Sequence, residues 1–147
     1  MDLLKELRKP NQYLFVVLQT QDDSAKPDIL RDHLLSYGVM ALSKIDSVAR
    51  ISKVCTDPRY RRQGLGELVV CAMLSSVGHH CKIRSEEMQQ SLALIFPITQ
   101  ARVASVQLHV DTERRDAIRL YARCGFFIKT EIRSYYAETR NALLMHL

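Results

Sequence analysis

No run of apolar residues in this sequence approaches the roughly 20 needed to cross a membrane as a helix, so no membrane span is expected. The four cysteines, Cys55, Cys71, Cys81 and Cys124, form no C-x-x-C pair and no other metal-ligand spacing, so no metal site is expected. Cys55 and Cys71 lie in apolar stretches and read as buried thiols, which points to a reducing, intracellular compartment: the cytoplasm, or the nucleus. No internal repeat or low-complexity segment is present, which sets aside repeat arrays. Met1–Leu7 carries too much charge for a signal peptide. The adjacent His79 and His80 fall at an expected helix end, where they serve the helix dipole or simply meet water.

What is present is an ordinary globular composition. The 147 residues are 47% hydrophobic and 25% charged, enough for one domain, 1–147, with a sizeable core. The net charge of +5 and pI of about 9.2 suit nucleic acid or a cofactor carrying several phosphates. A nucleic-acid reading would need stacking aromatics around Arg59–Arg62, and only Tyr60 is at hand, so no nucleic-acid partner is expected.

The stretch Ile51–Val70, ISKVCTDPRYRRQGLGELVV, organises the chain. Ile51, Val54 and Cys55 suit a strand, and Asp57-Pro58 stops it, because proline cannot donate to a ladder. Leu65, Leu68, Val69, Ala72 and Met73 recur at helical spacing, so a helix is expected from about Gly64 to Gly78. Such a helix start leaves backbone N–H groups unpaired and partly positive. Gly64 and Gly66 let an anion approach them, and Arg59, Arg61 and Arg62 add charge-assisted hydrogen bonds. The anion is not a nucleoside triphosphate held by a P-loop, since no Lys-Ser or Lys-Thr follows. Nor is it a dinucleotide on the usual fingerprint, since Val69 stands where the third glycine belongs.

Elsewhere the pattern alternates strand and helix. Asp2–Arg8 reads as a short helix ended by Pro10, Tyr13–Leu18 as a buried strand, Gln21–Pro27 as a loop and Ile29–Leu35 as an amphipathic helix. Gly38–Ile45 and Ala49–Thr56 read as strands joined at Asp46-Ser47. Residues 81–102 form an insertion in which Ser85-Glu86-Glu87 opens a helix and Leu92–Phe96 supplies its apolar face before Pro97. Val106–Val110 alternates as a strand with His109 off the buried face. Arg114–Arg123 is a helix capped by Gly125, Phe126–Glu131 a strand, Tyr135-Tyr136 part of a loop, and Ala142–Leu147 a closing strand.

Arg61-Arg62-Gln63-Gly64-Leu65-Gly66 matches the R/Q-x-x-G-x-G/A loop of the GNAT acetyltransferases, and Ala117, Leu120, Tyr121, Gly125 and Phe126 fall on that family's second pattern. The chain therefore resembles the GNAT superfamily over residues 38–80 and 103–147. The resemblance implies an α/β fold: a twisted, mixed, mostly antiparallel sheet flanked by helices, with its N-terminal part shortened and the coenzyme entering where strands splay. It implies acetyl-CoA as co-substrate, held by Val54, Cys55, Thr56, Arg61, Arg62, Gln63, Gly64, Leu65, Gly66, Glu67, Arg114 and Tyr121.

Leu108-His109-Val110, Tyr121 and Tyr135-Tyr136 further resemble the protein N-terminal acetyltransferases of the NatE and NatF kind. On that resemblance His109 is a base acting through water, Tyr121 faces the coenzyme sulfur, and Tyr135 and Tyr136 grip the acceptor. An α-amine has a pKa of about 7.7–8.0, so a modest base suffices. Backbone N–H groups at Val54–Thr56 can serve an oxyanion, and Tyr121 can meet the leaving thiolate. The family pattern is broken at Arg114, where asparagine is usual, and at Arg50, where NatE-like enzymes place a second tyrosine. The expected activity is acetylation of a peptide or protein N-terminal α-amine, with an auxiliary subunit or the ribosome as further partners. The alternatives are acetylation of a small amine, such as a polyamine or arylalkylamine, and a coenzyme-binding subunit without activity of its own.

Overall fold

In the computed structural model, residues 9–19, 34–81, 92–95 and 101–147 are described. The helix expected at Asp2–Arg8, the loop at Gln21–Pro27 and most of the helix expected over Ile29–Leu35 lie outside these residues.

The strands are β1 (Gln12–Gln19), β2 (Leu34–Leu42), β3 (Val48–Thr56), β4 (Leu92–Ile95), β5 (Ser105–Asp111), β6 (Phe127–Ala137) and β7 (Arg140–His146). The helices among the described residues are α1 (Leu65–Ser76), between β3 and β4, and α2 (Arg115–Arg123), between β5 and β6. The strands form one sheet in the order β4-β1-β2-β3-β5-β7-β6. Among the described residues every pairing is antiparallel except β3 with β5. This is the expected α/β sheet, and the parallel pair is the one joined through α1, as a crossover requires.

Leu65 and the run Leu68–Leu74 of α1 are all buried. A helix apolar on nearly every side belongs in a core. It lies against β1, β2 and β3, close enough that a Cβ on Gly38 of β2 would meet Met73 Cε at 2.0 Å and Val69 Cγ1 at 2.7 Å. Phe15, Val17, Met40, Val106 and Met145 complete this centre from the sheet. Cutting Met73 back to alanine in such packing would cost about 2–5 kcal/mol.

Four expectations need correction. Leu34 and Leu35 begin strand β2 and do not end a helix. Their alternation with Ser36 and Tyr37 is too short to separate the two periods, and pairing to β1 decides it. Leu92–Ile95 is also a strand: as β4 it pairs with the outer edge of β1 through Val16↔Ile95 to Gln19↔Leu92. A four-residue apolar run carries no period, and an open sheet edge offers it a ladder. The insertion therefore supplies an edge strand of the sheet. Tyr135 and Tyr136 lie in β6, not in a loop; Ser134, at φ 51°, marks an irregularity within a long β6–β7 hairpin. Finally, Cys55 is exposed, and Cys71, though buried, is bonded to Cys81 at 2.11 Å. The Cys124 sulfur lies within 4.8 Å of both. Spacing could not show this cluster, because its members come from α1, the segment after it and the end of α2.

Candidate active site

The site begins with a flaw in a ladder. Between β2 and β3 the register passes from Val39↔Lys53 to Met40↔Ile51, which leaves Ser52 as an extra residue. Its hydroxyl donates to the Val39 carbonyl at 3.2 Å. A bulge bends its strand and increases the local twist. The consequence is visible next door: β3 pairs with β5 only from Val48↔Ser105 to Ile51↔Leu108. Beyond Ile51 the strand stays with β2 as far as Thr56 but parts from β5. Ser36 fixes the parted end, donating to the Cys55 carbonyl and sharing a hydrogen bond with Thr56 Oγ1, both at 2.9 Å.

Asp57 then caps a single turn at Pro58–Tyr60, its carboxylate accepting from the Arg59 backbone N–H and from the Arg59 guanidinium. Arg61 Nε donates to the Thr56 carbonyl at 3.2 Å, folding the loop back over the strand end. Arg62 (φ 65°) and Gly64 (φ 81°) both take left-handed backbone, and Gly64 caps α1. Left-handed turns at a helix start make a concavity of N–H donors suited to an anion. Gly66 has a second reason to lack a side chain: a Cβ there would stand 3.3 Å from Leu120 Cδ1 and 3.6 Å from Thr56 Oγ1. It is where α1 approaches α2.

A groove of about 430 Å³ runs along this junction, within the usual range for a small-molecule site. One wall is Val54, Cys55, Thr56, Tyr60, Arg61, Arg62, Gly64, Leu65 and Gly66; the other is Arg114 and α2 residues Asp116, Ala117, Arg119, Leu120, Tyr121 and Arg123. Five arginines face it, against Asp116 and, at its margin, Glu67, which pairs with Arg123 at 3.5 Å. Asp116 shares itself loosely between Arg62 at 3.8 Å and Arg119 at 3.9 Å. These are exposed pairs of little net worth, so a polyanion can displace them.

Tyr121 is the buried member of α2, set edge-on to Phe126 with centroids 6.0 Å apart. Burial pushes its phenol up to about 12, with Cys124 and Tyr136 adding to the rise. It is a proton donor at every physiological pH and never a base.

On the other face of the sheet, His109 stacks on Tyr135, and Tyr135 meets Tyr136 edge-on at 4.9 Å. The Tyr136 hydroxyl donates to the His109 carbonyl at 3.3 Å. Partial burial pulls the imidazole below its usual range, and the nearby Arg50 guanidinium pulls it further. His109 is therefore neutral near pH 7 and able to accept a proton. Burial, then Tyr135, raises the Tyr136 phenol. Tyr136 links the two halves of the site, since its hydroxyl touches the His109 carbonyl and its phenol helps to raise that of Tyr121.

The expected site residues therefore divide into two groups. Val54, Cys55, Thr56, Arg61, Arg62, Gly64, Leu65, Gly66, Arg114 and Tyr121 all line the groove, and Gln63 and Glu67 flank it. His109, Tyr135 and Tyr136 form a separate aromatic cluster. Sequence reasoning missed Arg119 and Arg123, although their helical spacing from Asp116 and Leu120 puts them on the groove side. It also missed Asp111. This buried carboxylate accepts from the Glu113 backbone N–H at 2.9 Å and from the Arg140 guanidinium, whose Cζ lies 5.6 Å over the Tyr136 ring. No pattern in the sequence joins Asp111 to Arg140; the β5–β7 pairing does.

No protein-family profile matches the chain, and no curated protein does. Solved structures do. The chain is similar to Ard1 from Thermoplasma volcanium, with 26% identity over 78% of this chain and 62% of that one at a TM-score of 0.58. It is similar to the ribosomal-protein-S18-alanine N-acetyltransferase of Escherichia coli, with 21% identity, 98% and 73% coverage and a TM-score of 0.64. A chimera of the Vibrio cholerae spermidine N-acetyltransferase SpeG and hSSAT gives 16% identity, 98% and 70% coverage and a TM-score of 0.66. The chain thus spans less than two thirds of the Ard1 length. Its fold is that of the GNAT acetyltransferases.

Proposed function

We propose that this protein is an acetyl-CoA-dependent N-acetyltransferase acting on the N-terminal α-amine of a peptide or protein. The observation that carries the reading is the pairing of an arginine-lined groove, opened by the Ser52 bulge, with an aromatic cluster around a neutral histidine. The groove suits a long polyanion. The N–H groups at the start of α1, with Arg61, Arg62, Arg119 and Arg123, would hold the phosphates, and the GNAT fold argues for acetyl-CoA in particular. Acetyl-CoA would supply an acetyl thioester.

The chain's own groups then have distinct work. Backbone N–H groups at Val54–Thr56, past the end of the β5 ladder, are the donors available to polarise a carbonyl in the groove. His109, neutral near pH 7, takes a proton from the α-ammonium, directly or through one water, and so leaves the neutral, nucleophilic amine. Tyr121 keeps its proton at Oη and offers it to a leaving thiolate. Tyr135 and Tyr136 present flat apolar rings with polar tips, suited to a peptide backbone. Incubating the purified chain with acetyl-CoA and a mixed library of N-terminal peptides, spermidine and arylalkylamines tests the reading. Peptide α-amines should be acetylated fastest; acetylation confined to the small amines would replace it.

A further inference from the structure

The β3–β5 register sets Arg50 opposite Gln107. Paired residues share a face, and alternate residues of β5 do too. Arg50 therefore stands on the His109 face, while its neighbours Ala49 and Ile51 point with Val106 and Leu108 into the core. It is close enough to act electrostatically on the imidazole. Its guanidinium is half exposed and holds Asp46 at 2.9 Å in a pair whose carboxylate is equally exposed. An exposed pair of this kind is worth at most about 1 kcal/mol, so another carboxylate can take Asp46's place. The second arginine of the cluster, Arg140, is already engaged by buried Asp111 and covers Tyr136.

Granting the peptide reading above, we propose that Arg50 sets the acceptor preference, selecting peptides that carry an acidic side chain beside the α-amine. The planar fork of an arginine grips a carboxylate through two parallel hydrogen bonds, a geometry that lysine cannot offer. A carboxylate near the α-amine would meet Arg50 while the amine meets His109. A cationic neighbour, or the second amine of a polyamine, would instead meet like charge, which is discrimination by repulsion as well as attraction.

The test uses the full chain, acetyl-CoA and three peptides that differ only at the residue after the first, which is Asp, Leu or Lys, with spermidine beside them. Measurement at about pH 8 keeps His109 neutral with or without Arg50, since even an unperturbed histidine titrates near 6.5. The ratio of kcat/KM for the Asp peptide over the Lys peptide should be about tenfold or more, the scale of a charged hydrogen bond. It should shrink with added salt. Arg50→Gln should collapse the ratio, Arg50→Glu should invert it, and Arg50→Lys should keep only part of it. An acetyl-CoA-induced rise in melting temperature, retained in each variant, checks that the fold survives. Equal rates on the three peptides, or a preference that persists in Arg50→Gln, would overturn the role of Arg50 while leaving peptide acetylation intact. Acetylation of spermidine with no acetylation of any peptide would overturn both.

Discussion

The His109 imidazole lies flat on the Tyr135 ring, with centroids 4.6 Å apart and planes 8° from parallel. Two strands deliver this contact. His109 faces outward from β5, and Tyr135 comes from β6, on the far side of β7. Tyr136 fastens the pair from below through the His109 carbonyl. Arg140, held by Asp111, covers Tyr136 in turn. The cluster rests on strands whose register holds its members in place.

The first prediction concerns the base. His109 is pulled below its ordinary value, so it stays neutral and proton-accepting down to about pH 6.5 and lower, and protonation removes its activity only below that. The acceptor α-amine, with a pKa of about 7.7–8.0, needs that base most where it is mainly protonated. His109→Gln should therefore lose about 10²–10⁴-fold in rate between about pH 6 and 7 and recover part of it above about pH 8. A loss independent of pH, or none, would make the histidine structural.

Tyr121→Phe should behave differently. With the phenol pushed up to about 12, its proton is present throughout the assay range, so removing the hydroxyl costs rate equally at every pH. Phenylalanine keeps the edge contact with Phe126, so the fold and coenzyme affinity should hold. A melting temperature well below the native one would assign Tyr121 to packing instead.

The groove was legible because its residues are local. Arg61 to Gly66 and Ala117 to Tyr121 are each a short unbroken stretch of chain, and their spacing states a helix start and a helix face directly. Alternation likewise disclosed β5 and put His109 on its open side. What stayed hidden depends on register. The Ser52 bulge exists only as a mismatch between β2 and β3, and Asp111 meets Arg140 only because β5 pairs with β7. Tyr135 and Tyr136, expected in a loop, belong to β6. β6 is an exposed edge strand with almost nothing to bury, so it lacks the apolar signature of a strand. Leu92–Ile95 failed the opposite way, being apolar but too short to carry a period.

Asp111→Asn should loosen the acceptor face without touching the groove. We expect KM for the peptide to rise severalfold while acetyl-CoA binding stays within a factor of about two. The Glu113 backbone N–H and then the Arg140 side chain hold this carboxyl below its usual range. Its contribution to stability is therefore present above about pH 3.9 and lost as pH falls through its lower native value. Acid unfolding followed by circular dichroism should show that step in the native chain and lack it in the variant.

Replacing Lys82–Ile98 with a short Gly-Ser linker removes β4 and bares the outer edge of β1. The variant should melt several degrees lower and aggregate more readily, since an unpaired edge templates further pairing. The groove opens at the end of β3, where it parts from β5, with β1 and β2 between it and β4, so the folded fraction should bind acetyl-CoA within a few-fold of the native chain. Full stability without β4 would mean that the strand contributes nothing to the sheet.

The most direct measurement is fragmentation mass spectrometry of one peptide, bearing a free N-terminus and an internal lysine, after incubation with acetyl-CoA and either the native chain or Gly64→Glu. Gly64 takes left-handed backbone at the head of α1, so glutamate there puts strain and a negative charge where the phosphates would bind. The account predicts a single acetyl group on the α-amine with the native chain and none with the variant, whose circular dichroism spectrum should remain native. Acetylation of the lysine alone, no acetylation by the native chain, or equal acetylation by both proteins would contradict it.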